Sequence, residues 1–277
     1  MRSRTVPKPL GRLRLTERDV ALLRLTFEHR TLTRDHFLAL KVFGSIARAT
    51  NRLRALFDHR YLRRAFISAG ACSTASVYMI GPASIDVLSI ELGVDRDEVA
   101  RIARIEVGRM FLEHSLLAVE VRLFMEASAT VSLYLAEPYC RHEYTMSIGG
   151  VVQRRVLKPD GYLEIEFGSN TSSLFVEVDR GHVSAKQMAC SFAHYASYLR
   201  DGLFADVYQR ATFSVLVVTT AGSRRIANLK RVAEASSTVR VCFTTIERLR
   251  EYGALASIWE VPGHSGMVAL VEPEATR

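Results

Sequence analysis

Lys158-Pro159-Asp160-Gly161-Tyr162 and, shortly after it, Leu174-Phe175-Val176-Glu177-Val178-Asp179-Arg180-Gly181 are the segments on which the fold of this 277-residue chain turns. Apolar and acidic residues alternate in the second, the period of a strand covered differently on its two faces. Alternation puts Glu177 and Asp179 on one face and Val176 and Val178 on the other. Asp160 stands near the start of a strand predicted over 156–167, and pairing of the two strands brings three carboxylates together. Such a cluster is costly unless a cation or a proton neutralises it. Mg²⁺ favours carboxylate oxygen. Asp160, Glu177 and Asp179 therefore form a candidate metal set, and a metal held there can activate water for phosphodiester cleavage.

Outward from these segments, helices and strands alternate. Helices are predicted over 109–127, 184–200, 223–236 and 246–252. Strands are predicted over 130–136, 156–167, 174–179, 213–219, 239–244 and 257–261. This order predicts an α/β domain with a mixed sheet over 109–270. Its leading helix carries Phe111, Leu112, Leu116, Val119, Leu123 and Phe124 on an apolar side. The stripe Phe192, Tyr195 and Tyr198 is read as core or as a dimer face.

The first quarter of the chain differs in charge. Residues 1–70 hold sixteen Lys/Arg against five Asp/Glu, a net +11, while the remainder is at −3. A basic module on a near-neutral body is an electrostatic footprint for phosphate. Thr16-Glu17-Arg18-Asp19 reads as a helix cap with first-turn acids, and Thr33 and Ser45 as caps of two further short helices. In the third, Ile46, Ala49, Leu53 and Leu56 follow the spacing of a buried face. Arg48, Asn51, Arg52 and Arg54 are thereby turned outward. Tyr61–Ile67 and Ser76–Ile80 read as a strand pair joined by a small polar loop. Three helices and a wing make a winged helix-turn-helix over 1–92, with 1–12 flexible and the third helix in the major groove. Arg48, Asn51 and Arg52 are expected to meet base edges, and Arg60, Arg63 and Arg64 backbone phosphates. A helical linker is predicted at 93–108.

Four motifs in order carry a resemblance: Leu15-Thr16-Glu17-Arg18-Asp19, Glu113-His114-Ser115-Leu116, Lys158-Pro159-Asp160-Gly161-Tyr162, and Phe175 through Gly181. Together they resemble the replication-relaxation family, whose members occur on plasmids and integrating mobile elements and are linked to plasmid replication or relaxation. The second half also resembles the PD-(D/E)xK nuclease fold, an α+β arrangement of the restriction-endonuclease kind. That resemblance implies Asp160 and Glu177 as catalytic acids. The lysine it requires is replaced by Asp179, leaving Lys186 on the next helix as a displaced cation. Glu113 is a further acid on the leading helix, and His114 beside it is read as a capped or partly buried side chain.

Other chemistries are excluded by what is missing. There is no P-loop, no G-x-G-x-x-G and no G-x-S-x-G elbow. Cys72, Cys140, Cys190 and Cys242 stand singly, without zinc-ligand spacing, and are expected to be reduced thiols. No signal peptide or membrane-length apolar run is present, so a cytoplasmic protein is expected. The charge and the winged-helix pattern predict a DNA-binding protein, and the resemblance implies one belonging to a plasmid or mobile element. It would recognise an origin or element end in duplex DNA and recruit a relaxase, replication or recombination protein, with a degenerate nuclease-like domain. Two other functions fit the same residues. One is a Mg²⁺-dependent endonuclease or nickase using Asp160 and Glu177, and the other is a homodimeric transcriptional repressor.

Overall fold

The computed structural model describes residues 6–9, 11–68, 74–148, 151–168 and 170–270. Most of the polar loop expected at 68–75 and the tail at 271–277, expected to be disordered, lie outside the described residues, as do 1–5.

Local capping sets the first elements. The Thr16 hydroxyl accepts the Asp19 N–H, and the Asp19 carboxylate accepts the Thr16 N–H, closing a capping box that starts α1 (Glu17–His29). Strand β1 (Leu32–Thr33) leads into α2 (Arg34–Ala39), capped by Thr33, and Ser45 caps α3 (Ile46–Asp58). Strands β2 (Leu62–Ser68) and β3 (Thr74–Ile80) pair antiparallel, and β1 adds to β3 to give the order β1-β3-β2. Helix α3 buries Ala49, Leu53, Leu56 and Phe57. Ile46, expected on that face, is 58% exposed. The first turn, with Gly44 and Ser45 exposed beside it, stands outside the core.

A short 3₁₀ turn precedes α4 (Ile85–Leu92), and Asp95 caps α5 (Arg96–Arg104). Helix α5 buries Val99, Ala100, Ile102 and Ala103, so the stretch expected to be a linker is packed structure. The long helix α6 (Arg109–Ser128) follows, and Leu112 and Leu116 on it cluster with Val77 and Met79 of β3. The chain accordingly divides into residues 1–120 and 121–277, inside α6 and later than the sequence suggests. Phe111, expected on the apolar side, is 42% exposed.

In the second unit β4 (Thr130–Ala136) is followed by a separate hairpin, β5 (His142–Ile148) and β6 (Val151–Leu157). The chain then enters β7 (Gly161–Phe167) and β8 (Asn170–Asp179). The single strand expected over 156–167 is thus two. Pro159 between them has no N–H for a ladder and cannot continue one. Helices α7 (Ala185–Arg200) and α8 (Leu203–Tyr208) precede β9 (Ser214–Thr219), α9 (Gly222–Ser236), β10 (Val241–Thr245) and α10 (Ile246–Tyr252). Strands β11 (Trp259–Glu260) and β12 (Met267–Val268) end the described chain. Among the described residues the main sheet runs β12-β11-β10-β9-β8-β7-β4. Strands β8, β9 and β10 are parallel neighbours and the remaining pairs antiparallel, so the sheet is mixed.

Phe192, Tyr195 and Tyr198 of α7 are fully buried with Tyr162, Phe175, Phe204 and Phe213. That stripe is core and not a dimer face. Among the described residues no helix is long and apolar enough to cross a membrane.

Candidate nucleic-acid interface and acidic pair

The first unit presents α3. Because Ala49, Leu53 and Leu56 point inward, Arg48, Asn51 and Arg54 are exposed, as is Arg60 just beyond the helix. Arg52 is not available in the same way. Its Nε donates to Asp19 Oδ1 at 2.7 Å, its Nη2 pairs with Asp19 Oδ2, and the same nitrogen donates to the Arg14 carbonyl at 2.9 Å. Burial pushes the Asp19 carboxyl up, but Arg52 and the two Thr16 hydrogen bonds outweigh it and hold it below the usual carboxylate range. Arg52 therefore fastens α3 to α1.

The arginines of β2 are also tied into the fold. Arg63 donates to the carbonyls of Ile80 (3.3 Å) and Ile105 (2.9 Å). The Arg64 guanidinium lies 4.4 Å over the Phe57 ring and 5.1 Å over Phe66, a cation–π arrangement. Of the three arginines expected to meet phosphate, only Arg60 is exposed. Within the stretch 1–12 expected to be flexible, the Lys8 N–H donates to Asp58 Oδ1 at 3.1 Å.

In the second unit the β7–β8 register pairs Gly161 with Val176, and one rung further sets Asp160 opposite Glu177. The Asp160 N–H donates to the Val176 carbonyl (2.9 Å), and its Oδ2 accepts the Val178 N–H (2.7 Å). These two bonds hold Asp160 astride Glu177. Phe175, Glu177 and Asp179 share the face of β8 that α7 and α9 cover. Glu177 is half-buried there, and its Oε1 accepts the Tyr195 hydroxyl at 2.5 Å. Burial pushes the Glu177 carboxyl up to about 8, and the neighbouring Asp160 charge adds to the shift against the Tyr195 hydrogen bond.

Asp179 does not join this pair. Its Oδ1 pairs with Arg225 Nη2 at 2.8 Å, and its Oδ2 accepts from Arg225 Nε (2.9 Å) and the Thr219 hydroxyl (2.7 Å). Burial favours the neutral acid, but Arg225 and Thr219 outweigh it and hold the carboxyl below its ordinary value. The third ligand of the expected metal set is thus committed to an ion pair, and among the described residues no three acids, histidines or cysteines group to hold a metal. Lys186 is exposed in the first turn of α7. Glu113 pairs with Arg109, one turn earlier on α6, at 2.6 Å, and His114 is half-buried beside it. Cys140 and Cys242 are buried free thiols and Cys190 an exposed one, while Cys72 lies outside the described residues.

Sequence reasoning missed Tyr195, Arg225 and Asp19 as partners of the site residues. Tyr195 was visible only as one member of an apolar stripe. Arg225 and Asp19 lie 46 and 33 residues from the charges they meet, with no local signal linking them.

Residues 23–213 match the family described as Replication-relaxation. No curated protein matches the chain significantly. Among solved structures, restriction endonuclease FokI is 16% identical with a TM-score of 0.32, covering 84% of this chain and 42% of that one. FokI bound to DNA is 14% identical with a TM-score of 0.31, covering 84% and 43%. The chain spans less than half the length of either.

Proposed function

The chain belongs to the replication-relaxation family, and from that premise we propose that it is a sequence-specific duplex-DNA-binding protein of a plasmid or mobile element. Its first unit acts as a winged helix-turn-helix, with α3 in the major groove and the β2–β3 hairpin as the wing. Its second unit is a nuclease-like platform that presents partner replication, relaxation or recombination proteins without cutting DNA itself.

The outward face of α3 carries this reading. Arg48, Asn51 and Arg54 are exposed on one short helix within the quarter of the chain that holds the whole positive excess. Asn and Arg make bidentate contacts with adenine and guanine edges. Anisotropy titrations of the full chain against the element's own intergenic DNA and a random duplex test it. Preference for the former, with affinity falling steeply in salt, is expected; equal affinity for both would remove sequence recognition.

A second reading, a metal-dependent endonuclease, is favoured by Asp160 and Glu177 facing each other across the β7–β8 ladder. In it these two residues hold Mg²⁺, which supplies water activation and charge neutralisation. The position where a lysine would stabilise the charge gained by the phosphodiester is instead an Asp179–Arg225 ion pair, which supports the non-catalytic platform. Mg²⁺- or Mn²⁺-dependent nicking abolished by both Asp160→Ala and Glu177→Ala would reverse the choice.

A further inference from the structure

The segment before α1 is tied to α3 at two places. Lys8 N–H donates to Asp58 at the last turn of α3, and Arg52 holds the Arg14 carbonyl one and a half turns earlier. Gly11 between the two anchors has φ +67°, in the left-handed region that favours glycine, and turns the backbone there.

This course brings further cations beside the face assigned to DNA. Lys8, Arg12 and Arg14 are exposed along it, and Arg18 is exposed in the first turn of α1. An open cleft of about 460 Å³ is lined by Thr16 and Arg18 of the α1 start together with Arg48, Asn51 and Arg52 of α3. The start of α1 and the outward face of α3 thus border one concave surface. Arg12, Arg14, Arg18 and Arg48 make no ion pair with another described residue, so their charge is available to an anion.

We infer that Arg12, Arg14 and Arg18 form a phosphate clamp, gripping the DNA backbone strand that flanks α3 when that helix lies in the major groove. This rests on the DNA-binding reading above and adds to it a second contact element that carries affinity, while Asn51 and Arg48 carry sequence preference. The Arg52–Asp19 pair is the joint that keeps clamp and reading helix in register, since it holds α3, α1 and the Arg14 carbonyl at once.

The test is anisotropy titration of the full chain over a salt series, on intergenic and random duplexes. The Arg12→Ala/Arg14→Ala/Arg18→Ala variant removes three charges and no described side-chain bond. Its affinity is expected to fall about tenfold or more on both duplexes, with the log–log salt slope shallower by about 2–3, at roughly 0.9 per phosphate contact. Gly11→Val keeps every charge but strains the bend, and it is expected to weaken both duplexes in the same way. Wild-type affinity and slope in the triple variant, with binding lost in Arg48→Ala/Arg54→Ala, would overturn the clamp and leave the DNA reading standing. A loss confined to the intergenic duplex would also overturn it, since that is the mark of base reading. Absence of duplex binding by the wild type would overturn both.

Discussion

Removing the Arg225 guanidinium gives the sharpest test of the second unit's electrostatics. Asp179 is 2% exposed, and Arg225 meets both its oxygens while itself only 16% exposed. Arg225→Ala would leave a buried carboxylate with no cation beside it, held only by the Thr219 hydroxyl and the Gly181 backbone N–H. Breaking a buried pair from one side costs about 3–5 kcal/mol, because the remaining charge is desolvated without a partner. Trp259, the single tryptophan of the chain, is fully buried in the same unit, so its fluorescence reports that unit's unfolding in urea. With a denaturant slope of about 2 kcal/mol/M, the midpoint is expected to drop by roughly 1.5–2.5 M.

The pH dependence fixes the mechanism. The folded carboxyl of Asp179 is held below its ordinary value. The stabilisation is therefore fully present above the unfolded value of about 3.9 and is lost as pH falls through the folded one. The gap between wild type and variant should close in acid. A midpoint shift under about 0.5 M, or a gap that persists unchanged into acid, would refute this account of the pair. By the same geometry Asp179→Lys would face an ammonium against Arg225, and unfolding of the second unit is expected in place of cleavage.

Glu177→Gln is expected to equal the wild type in acid and to exceed it in stability at pH 9, measured by Trp259 fluorescence with chelator present. The folded acid is raised to about 8, so wild-type stability falls as pH climbs from the unfolded value of about 4.3, and a pH-independent difference would contradict it. Asn51→Ala should cost about 1–3 kcal/mol of discrimination between intergenic and random duplex with no change in melting temperature. Arg52→Ala should instead lower the melting temperature, by the equivalent of roughly 2–3 kcal/mol, as Asp19 loses its buried partner; the reverse pattern would mean that Arg52 is the reader. Gly81→Ala should destabilise the first unit by about 1–3 kcal/mol. An added Cβ would lie 2.3 Å from the Arg60 carbonyl oxygen, a backbone atom that cannot turn aside, so an unchanged melting temperature would disprove the contact.

Several features were legible before any coordinates. Thr16, Thr33 and Ser45 begin their helices where their side chains predict, because a cap acts on N–H groups within three residues. Ala49, Leu53 and Leu56 face inward, and Glu177 and Asp179 share a strand face, because helical and strand periods are properties of the local backbone. The concentration of positive charge in the first quarter is a plain consequence of composition. The β5–β6 hairpin was hidden because alternation alone does not say where one strand stops and the next begins. Pro159 was the available sign.

What the tertiary structure decided is which charges remain available. Arg48 and Arg52 are equivalent on a helical wheel drawn from sequence, yet one is exposed and the other is fastened to Asp19. Asp160 and Glu177 meet across a ladder, while Asp179, only two residues further on, turns to Arg225. An arginine reaches whatever acid the packed core brings within hydrogen-bond range. The worth of that contact depends on how much water is excluded around it, and neither quantity is written in the residues on either side.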